Sequence, residues 1–317
     1  MSRVINNHPN VNERTRKIIQ DVIENTGYQP NPVARSLISG RTRVLGLVIP
    51  MTYSSLFTDP FFSLLSQGIS STCTINNYTL MLWLIEPDHE KRANDNILNN
   101  RIIDGIIVAS NVIDDPLIDG LIDRGVPMVQ VGRNKYPNVS SVDADNIHGA
   151  ITAVRHLVNN GRRRLATVSG PMNRYSGQDR LTGFKQGLLE KGLPVLEERI
   201  AYGDFSERSG YAQTKILLSR STFDGLFVAS DMMAFGAIRA IQDGGYRIPE
   251  DIAVVGFDDL PATARFQLPL TTIRQPIHQM GSIAAQTLID QLENNGTATS
   301  RRIILPTELI VRETTVM

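Results

Sequence analysis

Residues 44–49 read Val44-Leu45-Gly46-Leu47-Val48-Ile49, and Pro50 ends this apolar run. A short, nearly continuous apolar run is typical of a strand buried on both faces of a parallel sheet. Downstream of it, the pattern predicts alternating helices and strands: helices over 61–76, 90–99 and 115–124, and strands over 78–85, 105–109 and 126–131. Such alternation predicts right-handed βαβ units, and therefore an α/β fold whose parallel sheet is covered on both faces.

The strand and helix series restarts after Ser140-Ser141-Val142-Asp143. The second series has predicted helices over 145–159, 180–191, 206–218 and 231–243, and predicted strands over 165–169, 199–202, 225–229 and 252–257. Residues 271–276 then read as a crossing segment, before a helix over 277–293 and two final apolar stretches at 302–305 and 308–312. Two similar halves predict two lobes with a cleft, and ligands of such sheets bind at the carboxyl ends of the strands.

Upstream of the first strand, residues 28–42 form a distinct segment. Pro30 and Pro32 keep its start extended, and residues 33–38 can form one or two helical turns that Gly40 ends. A helix of this length is unstable alone in water. The segment is therefore either a linker whose Leu37 packs on the next domain, or a helix that folds on DNA with Leu37 as a minor-groove wedge.

The first 43 residues are basic and the rest of the chain is acidic. Residues 1–43 contain seven Lys and Arg against three Asp and Glu, whereas the remainder contains 25 against 29. Asn12 is a suitable N-cap for a helix that Gly27 ends, with Ile18, Ile19, Val22 and Ile23 recurring on one face. A basic leader on an acidic body fits a phosphate-binding module attached to a small-molecule domain, although a solvated basic tail gives the same count.

Composition and motifs argue against several other classes of protein. Hydrophobic residues make up 41% of the chain and charged residues 20%, no apolar run is long enough to span a bilayer, and the polar N-terminus lacks a signal-peptide core. Cys73 is the single cysteine, and the five histidines fall at no metal-ligand spacing. No nucleophile elbow, Walker loop or Rossmann glycine fingerprint follows a strand. We therefore expect a cytoplasmic protein that is not an enzyme and that needs neither cofactor nor metal.

Five phrases of this sequence resemble the LacI/GalR family of bacterial transcriptional regulators. They are Ala34-Arg35-Ser36-Leu37, Thr58-Asp59-Pro60-Phe61-Phe62, Ser230-Asp231-Met232-Met233-Ala234-Phe235-Gly236-Ala237, Val255-Gly256-Phe257-Asp258-Asp259 and Leu270-Thr271-Thr272-Ile273-Arg274-Gln275-Pro276. The resemblance implies two doubly wound, periplasmic-binding-protein-like lobes of type I, preceded by a DNA-binding headpiece and a hinge helix. The implied domains are a headpiece over 1–27, a hinge over 28–42 and a sensor over 43–317. Within the sensor, the N-lobe comprises about 43–144 and 276–306, and the C-lobe about 145–274 and 307–317.

By the same resemblance, DNA contacts are expected in the headpiece and the hinge. The implied residues are Ser2, Arg3, Asn6, Tyr28, Ala34, Arg35 and Leu37. The family's helix-turn-helix needs a first helix and a turn, and this chain begins within the second helix. About twenty residues of the family pattern, one helix and a turn, are thus expected to be missing, and the chain as written is expected to bind operator DNA poorly.

The resemblance also implies a ligand site in the cleft, for a small polar effector that is a sugar or sugar derivative rather than a purine. The implied residues are Phe61, Phe62, Asn111, Arg174, Arg180, Phe205, Ser230, Asp258 and Gln275. Rings from the two lobes would sandwich the ligand, with Arg180 and Asp258 as opposed polar anchors. The structural alternatives are that a phenylalanine belongs to the core and that the arginines only begin a solvated helix. Many sugar-binding relatives have Asn in place of Ser230, and Asp231 is expected to cap the following helix.

The sequence therefore predicts a ligand-responsive transcriptional regulator, acting as a repressor. The predicted partners are a pseudo-palindromic operator and a second copy of the chain, with an interface that includes the helix after Phe62. The alternative is a solute-binding or sensor protein that binds no DNA.

Overall fold

The computed structural model describes residues 4, 10–26, 41–49, 59–85, 90–100, 102–265, 267–294 and 299–316. The chain divides into two units, Met1–Arg43 and Val44–Met317. In the first unit, helix α1 spans Glu13–Thr26 and has no buried residue. The Thr15 amide donates to Asn12 Oδ1 at 2.8 Å, so Asn12 caps α1 as the sequence predicts.

The N-lobe of the second unit is a six-stranded parallel sheet. Its strands, in spatial order, are β11 (Arg302–Leu305), β5 (Ser140–Ala144), β4 (Met128–Val131), β3 (Gly105–Val108), β1 (Val44–Ile49) and β2 (Thr79–Leu84). Its helices are α2 (Pro60–Ile75), α3 (Glu90–Leu98), α4 (Pro116–Asp123) and α9 (Ile277–Glu293). Helices α2 and α9 cover one face of the sheet, and α3 and α4 cover the other, so the predicted strand over 44–49 is buried on both faces.

The C-lobe repeats this plan with a second six-stranded sheet. Its strands, in spatial order, are β12 (Glu308–Ile310), β10 (Thr271–Arg274), β9 (Ala253–Asp258), β8 (Gly225–Val228), β6 (Leu165–Ser169) and β7 (Ile200–Tyr202), with only β12 antiparallel to its neighbour. Its helices are α5 (Asn146–Asn159), α6 (Tyr175–Glu190), α7 (Glu207–Arg220) and α8 (Asp231–Asp243), and a 3₁₀ turn spans Glu197–Arg199. The predicted fold class, two doubly wound α/β lobes, is confirmed.

The chain passes between the lobes three times, between β5 and α5, between β10 and α9, and between β11 and β12. In the part of the chain that the structure describes, no helix combines the length and apolarity needed to cross a membrane.

Three local predictions were wrong. Residues 140–143, to which the sequence pattern assigned no strand, belong to strand β5, because Ser140, although polar, is buried and its hydroxyl accepts from Gln291 Nε2 at 2.6 Å. Residues 271–274 are a strand that pairs with β9, so only residues 275 and 276 cross between the lobes. Helix α6 begins at Tyr175, five residues before the predicted start, because the Tyr175 amide is held by the Asn111 carbonyl at 2.9 Å.

Candidate functional site

A cavity of about 530 Å³ lies between the two lobes, where the strands of both sheets end. Its volume is in the range of small-molecule sites. It is lined by all nine residues that the sequence analysis proposed for the ligand: Phe61, Phe62, Asn111, Arg174, Arg180, Phe205, Ser230, Asp258 and Gln275. The structure thus brings the nine residues together, and their ligand contacts stay a prediction.

The N-lobe contributes two aromatic rings at the start of α2. Asp59 caps this helix by accepting from the Phe61 amide at 3.0 Å, and Pro60 fixes its first turn. The rings of Phe61 and Phe62 meet edge to face with centroids 5.1 Å apart. Both rings also pack on the N-lobe core, so the core interpretation and the cavity interpretation both hold for the pair.

The C-lobe contributes the ring of Phe205, whose backbone is in the left-handed region with φ of 74°. A non-glycine residue in this region is strained, and such strain concentrates at functional sites. Gly170 leaves room for the ring, since a Cβ at this position would lie 2.4 Å from Phe205 Cζ. The strained backbone of Phe205 and the absence of a side chain at Gly170 therefore determine the position of this aromatic ring in the cavity wall.

Arg180 is 5% exposed and is held by neighbours on several sides. Its Nε donates to Asn146 Oδ1 at 2.9 Å, and its Nη1 donates to the Ala229 carbonyl at 2.6 Å and to Asp258 Oδ1 at 3.4 Å. The guanidinium carbon lies 3.8 Å from the centroid of the Phe257 ring. Among the described residues none accepts a hydrogen bond from Nη2, so these donors are available to a ligand.

Asp258 ends strand β9 with φ of 127°, a second strained position in the cavity wall. Its Oδ1 accepts from Gln275 Nε2 at 2.5 Å as well as from Arg180. Burial raises the pKa of this carboxyl to about 7, although the Arg180 guanidinium acts in the opposite direction. The prediction that Arg180 and Asp258 are opposed anchors was wrong, because they form an ion pair on one wall.

The start of α8 and the turn after β9 hold Asp258 in place. Ser230, not Asp231, caps α8, since the Met233 amide donates to Ser230 Oγ at 3.3 Å. The fully buried Asp231 carboxylate instead accepts from Thr272 Oγ1 at 2.6 Å and from the Leu260 amide at 2.8 Å. It thereby ties β10 and the turn after β9 to the start of α8, which corrects the predicted capping role.

Arg174 and Asn111 lie where the two lobes touch. The Ile113 amide donates to the Asn173 carbonyl at 2.9 Å, the Tyr175 amide donates to the Asn111 carbonyl at 2.9 Å, and Asn111 Nδ2 donates to Ser176 Oγ at 2.8 Å. Within the described ranges, the Arg174 guanidinium makes no hydrogen bond or ion pair, and burial lowers its pKa. It is thus a half-buried cation in the cavity wall, and its contact with a ligand stays a prediction.

Several residues of the cavity wall were not predicted from the sequence. These include Asp59, Asp143, Asn146, Ser176, Asp204, Met232 and Met280. Asp143 lies near the end of β5 and Asn146 just after it, and the sequence pattern did not reveal this strand, so the rule that ligands meet strand ends could not be applied to them. The proposed DNA-contacting residues Ser2, Arg3, Asn6, Tyr28, Ala34, Arg35 and Leu37 lie outside the described residues.

Comparison with known proteins finds relatives along the whole chain. A family model for bacterial regulatory proteins of the lacI family matches residues 1–31, and a model for a periplasmic binding protein-like domain matches residues 154–315. The HTH-type transcriptional regulator CelR of Thermobifida fusca is 36% identical over 317 residues, which cover 99% of this chain and 93% of the relative.

Two solved structures resemble this one closely. A transcriptional regulator CelR–cellobiose complex has a TM-score of 0.83 at 34% identity, with 99% of this chain and 94% of that chain covered. The lac repressor dimer bound to operator and the anti-inducer ONPF has a TM-score of 0.86 at 27% identity, with 100% and 94% covered.

Proposed function

Because this chain belongs to the lacI family of bacterial regulatory proteins, we propose that it is a ligand-responsive, DNA-binding transcriptional regulator that acts as a repressor. Its effector is a small saccharide bound in the cavity between the lobes. The observation that carries the proposal is this cavity, in which aromatic rings of both lobes accompany a paired arginine and carboxylate.

The lining of the cavity favours a saccharide over a purine as effector. Phe61, Phe62 and Phe205 offer apolar surfaces for the C–H faces of a sugar ring. Arg180 and Arg174 only donate hydrogen bonds, whereas carboxylates such as Asp258 only accept them when ionised. Sugar hydroxyls both donate and accept, so one saccharide can satisfy both kinds of group. The relative whose structure holds cellobiose makes cellobiose the first saccharide to test.

On the DNA side, the proposal assigns operator contacts to residues 1–42. The lacI-family match at 1–31 and the positive charge of this part favour a regulator over a sensor that binds no DNA. We assign base and backbone contacts to Ser2, Arg3 and Asn6, and hinge contacts to Tyr28, Ala34, Arg35 and Leu37. The sensor then comprises residues 43–317, and the cytoplasm, where bacterial operators are found, is its place of action.

We further propose that the protein is a homodimer, since a pseudo-palindromic operator requires two headpieces. The described surface offers a groove along α2, lined by Ser63, Ser66, Gln67, Ser70, Ser71, Leu82 and His278. Leu82, on the edge strand β2, is 45% exposed and adds an apolar side chain to this groove, which we assign to the partner subunit.

Sedimentation at micromolar concentration is expected to give a dimer, and Leu82→Glu is expected to shift the protein to monomer because it places a charge in the interface. Ile304→Glu is the matched control, since Ile304 is also exposed but lies on the opposite edge strand β11. A concentration-independent monomer for the unchanged protein would contradict the proposal.

The proposed function is tested by two assays on the full chain. Calorimetry with a panel of saccharides and purines is expected to find a saccharide that binds, and selection from random duplexes at low salt, where weak DNA binding is retained, is expected to recover a pseudo-palindrome. Saccharide binding without any selected sequence would favour the sensor that binds no DNA, and purine binding would refute the saccharide effector.

A further inference from the structure

We propose that Asp143 is a specificity-determining residue of the cavity: its carboxylate binds a hydrogen-bond donor of the ligand and excludes ligands that carry an anionic group there. The inference rests on the proposed function, since it concerns the selectivity of the same saccharide site. It adds a residue from the N-lobe to a polar set otherwise drawn mainly from the C-lobe.

Among the described residues, hydrogen-bond donors reach only one of the two carboxylate oxygens of Asp143. The residue lies near the end of β5 and lines the cavity while half-buried. Its Oδ1 accepts from the Ala144 amide at 2.9 Å and from Asn146 Nδ2 at 3.1 Å. No described residue donates a hydrogen bond to Oδ2, which therefore retains its full capacity to accept.

Asp143 forms no ion pair, unlike three other carboxylates in or near the cavity, although the Arg180 guanidinium is close enough to lower its pKa. Asp258 pairs with Arg180 at 3.4 Å, Asp179 pairs with Arg133 at 2.8 Å, and Glu207 of the cavity pairs with Arg239 at 3.1 Å. In the described part of the chain, no Lys, Arg or His forms an ion pair with Asp143. The Oδ2 atom is thus left as an acceptor for whatever occupies the cavity.

An ionised Asp143 is costly for the fold. Burial raises the pKa of its carboxyl to about 6 and the nearby Asp179 acts in the same direction, whereas the Ala144 amide, the Arg180 guanidinium and Asn146 oppose the rise. A carboxyl whose pKa is raised on folding destabilises the folded state at higher pH, where it must be ionised. A group that lowers stability without a partner in the chain is typical of a ligand site.

The chemistry of the carboxylate defines the ligand group that it selects. An ionised carboxylate accepts hydrogen bonds and donates none, so the matching ligand group is a hydroxyl or an N–H. A carboxylate or phosphate on the ligand would be repelled. The net charge of the whole lining also disfavours anionic ligands, because acidic residues outnumber basic ones. The acids are Asp59, Asp143, Asp204, Glu207 and Asp258, and the bases are Arg174 and Arg180. Neutral saccharides are therefore favoured over their anionic derivatives.

The test compares three pairs of probes by calorimetry at pH 7.5: cellobiose with cellobionate, glucose with glucuronate, and ribose with ribose 5-phosphate. In the unchanged protein, the neutral member of the binding pair is expected to bind more tightly. Asp143→Asn keeps the Oδ1 acceptor and removes the charge. The variant is expected to lower the affinity for the neutral member about tenfold. The ratio between the affinities for the neutral and the anionic member is expected to fall.

Two readouts separate this role from a merely structural one. Asp143→Asn is expected to unfold at a higher temperature than the unchanged protein at pH 7.5, because it removes a buried charge. Asp123→Asn, at an exposed carboxylate that ends α4 and does not line the cavity, is the matched control and is expected to change neither the affinity nor the preference.

The outcomes distinguish the inference from the proposed function. Unchanged neutral affinity in Asp143→Asn, or tighter binding of an anionic member by the unchanged protein, would overturn the inference and leave a saccharide-binding regulator. Failure of all six probes to bind would contradict the saccharide effector, and with it the inference.

Discussion

Asp258→Ala is expected to lower the affinity for the saccharide effector about a hundredfold or more. The change removes an acceptor for ligand hydroxyls, and hydrogen bonds to charged groups contribute about 1.5–3 kcal/mol each. It also leaves the buried Arg180 guanidinium without its carboxylate at 3.4 Å, and removes the acceptor that orients Gln275. Titration calorimetry with cellobiose and the other saccharides measures the loss.

The control for this variant is Asp251→Ala. Asp251 is a surface carboxylate paired with Arg247 at 3.0 Å, and it does not line the cavity. Asp258→Asn is a second, isosteric variant that removes the charge while preserving volume, and it keeps the test valid if the alanine variant folds poorly. Affinity equal to that of the unchanged protein in both Asp258 variants would place the ligand elsewhere.

Arg180→Met is expected to have the largest effect on stability as well as on binding. The change leaves the buried Asp258 carboxyl without its cation, and removing one partner of a buried ion pair costs about 3–5 kcal/mol. For a domain of this size, such a cost corresponds to a fall of roughly 10 °C in the unfolding temperature. The contacts of Arg180 with Asn146 and the Ala229 carbonyl are lost too.

A double variant separates the two consequences of removing Arg180. Arg180→Met combined with Asp258→Asn removes both charges, so much of the stability is expected to return while saccharide affinity stays lost. Arg239→Met is the control, because Arg239 is 56% exposed in its ion pair and should change the unfolding temperature little. Return of binding in the double variant would show that the ion pair is structural and that the ligand does not contact it.

Much of the fold could be predicted because apolar strands and their following helices carry strong periodic signals. Strand β1 and helices α8 and α9 have the predicted ends. Strand β5 was missed because it is built from Ser140, Ser141 and Asp143, whose burial depends on tertiary partners such as Gln291.

The residues of the site were found because family phrases mark the ends of strands. The local arrangement could not be predicted, because it depends on backbone conformation. The positive φ of Asp258 directs its carboxylate toward Arg180 of the same lobe, and no sequence pattern predicts this backbone conformation. Asp231 was assigned as a cap since acidic residues are common at helix starts, but its carboxylate is used by Thr272 and Leu260.

The central claim is that saccharide binding in the cavity controls DNA binding by the same chain. The most direct measurement is the affinity of the full chain for its selected duplex, followed by fluorescence anisotropy, with and without saturating saccharide. We expect the saccharide to change this affinity by about fivefold or more, the usual scale of allosteric coupling, and we expect no change in Asp258→Ala. An affinity for DNA that saturating saccharide leaves unaltered, or alters equally in Asp258→Ala, would contradict the account.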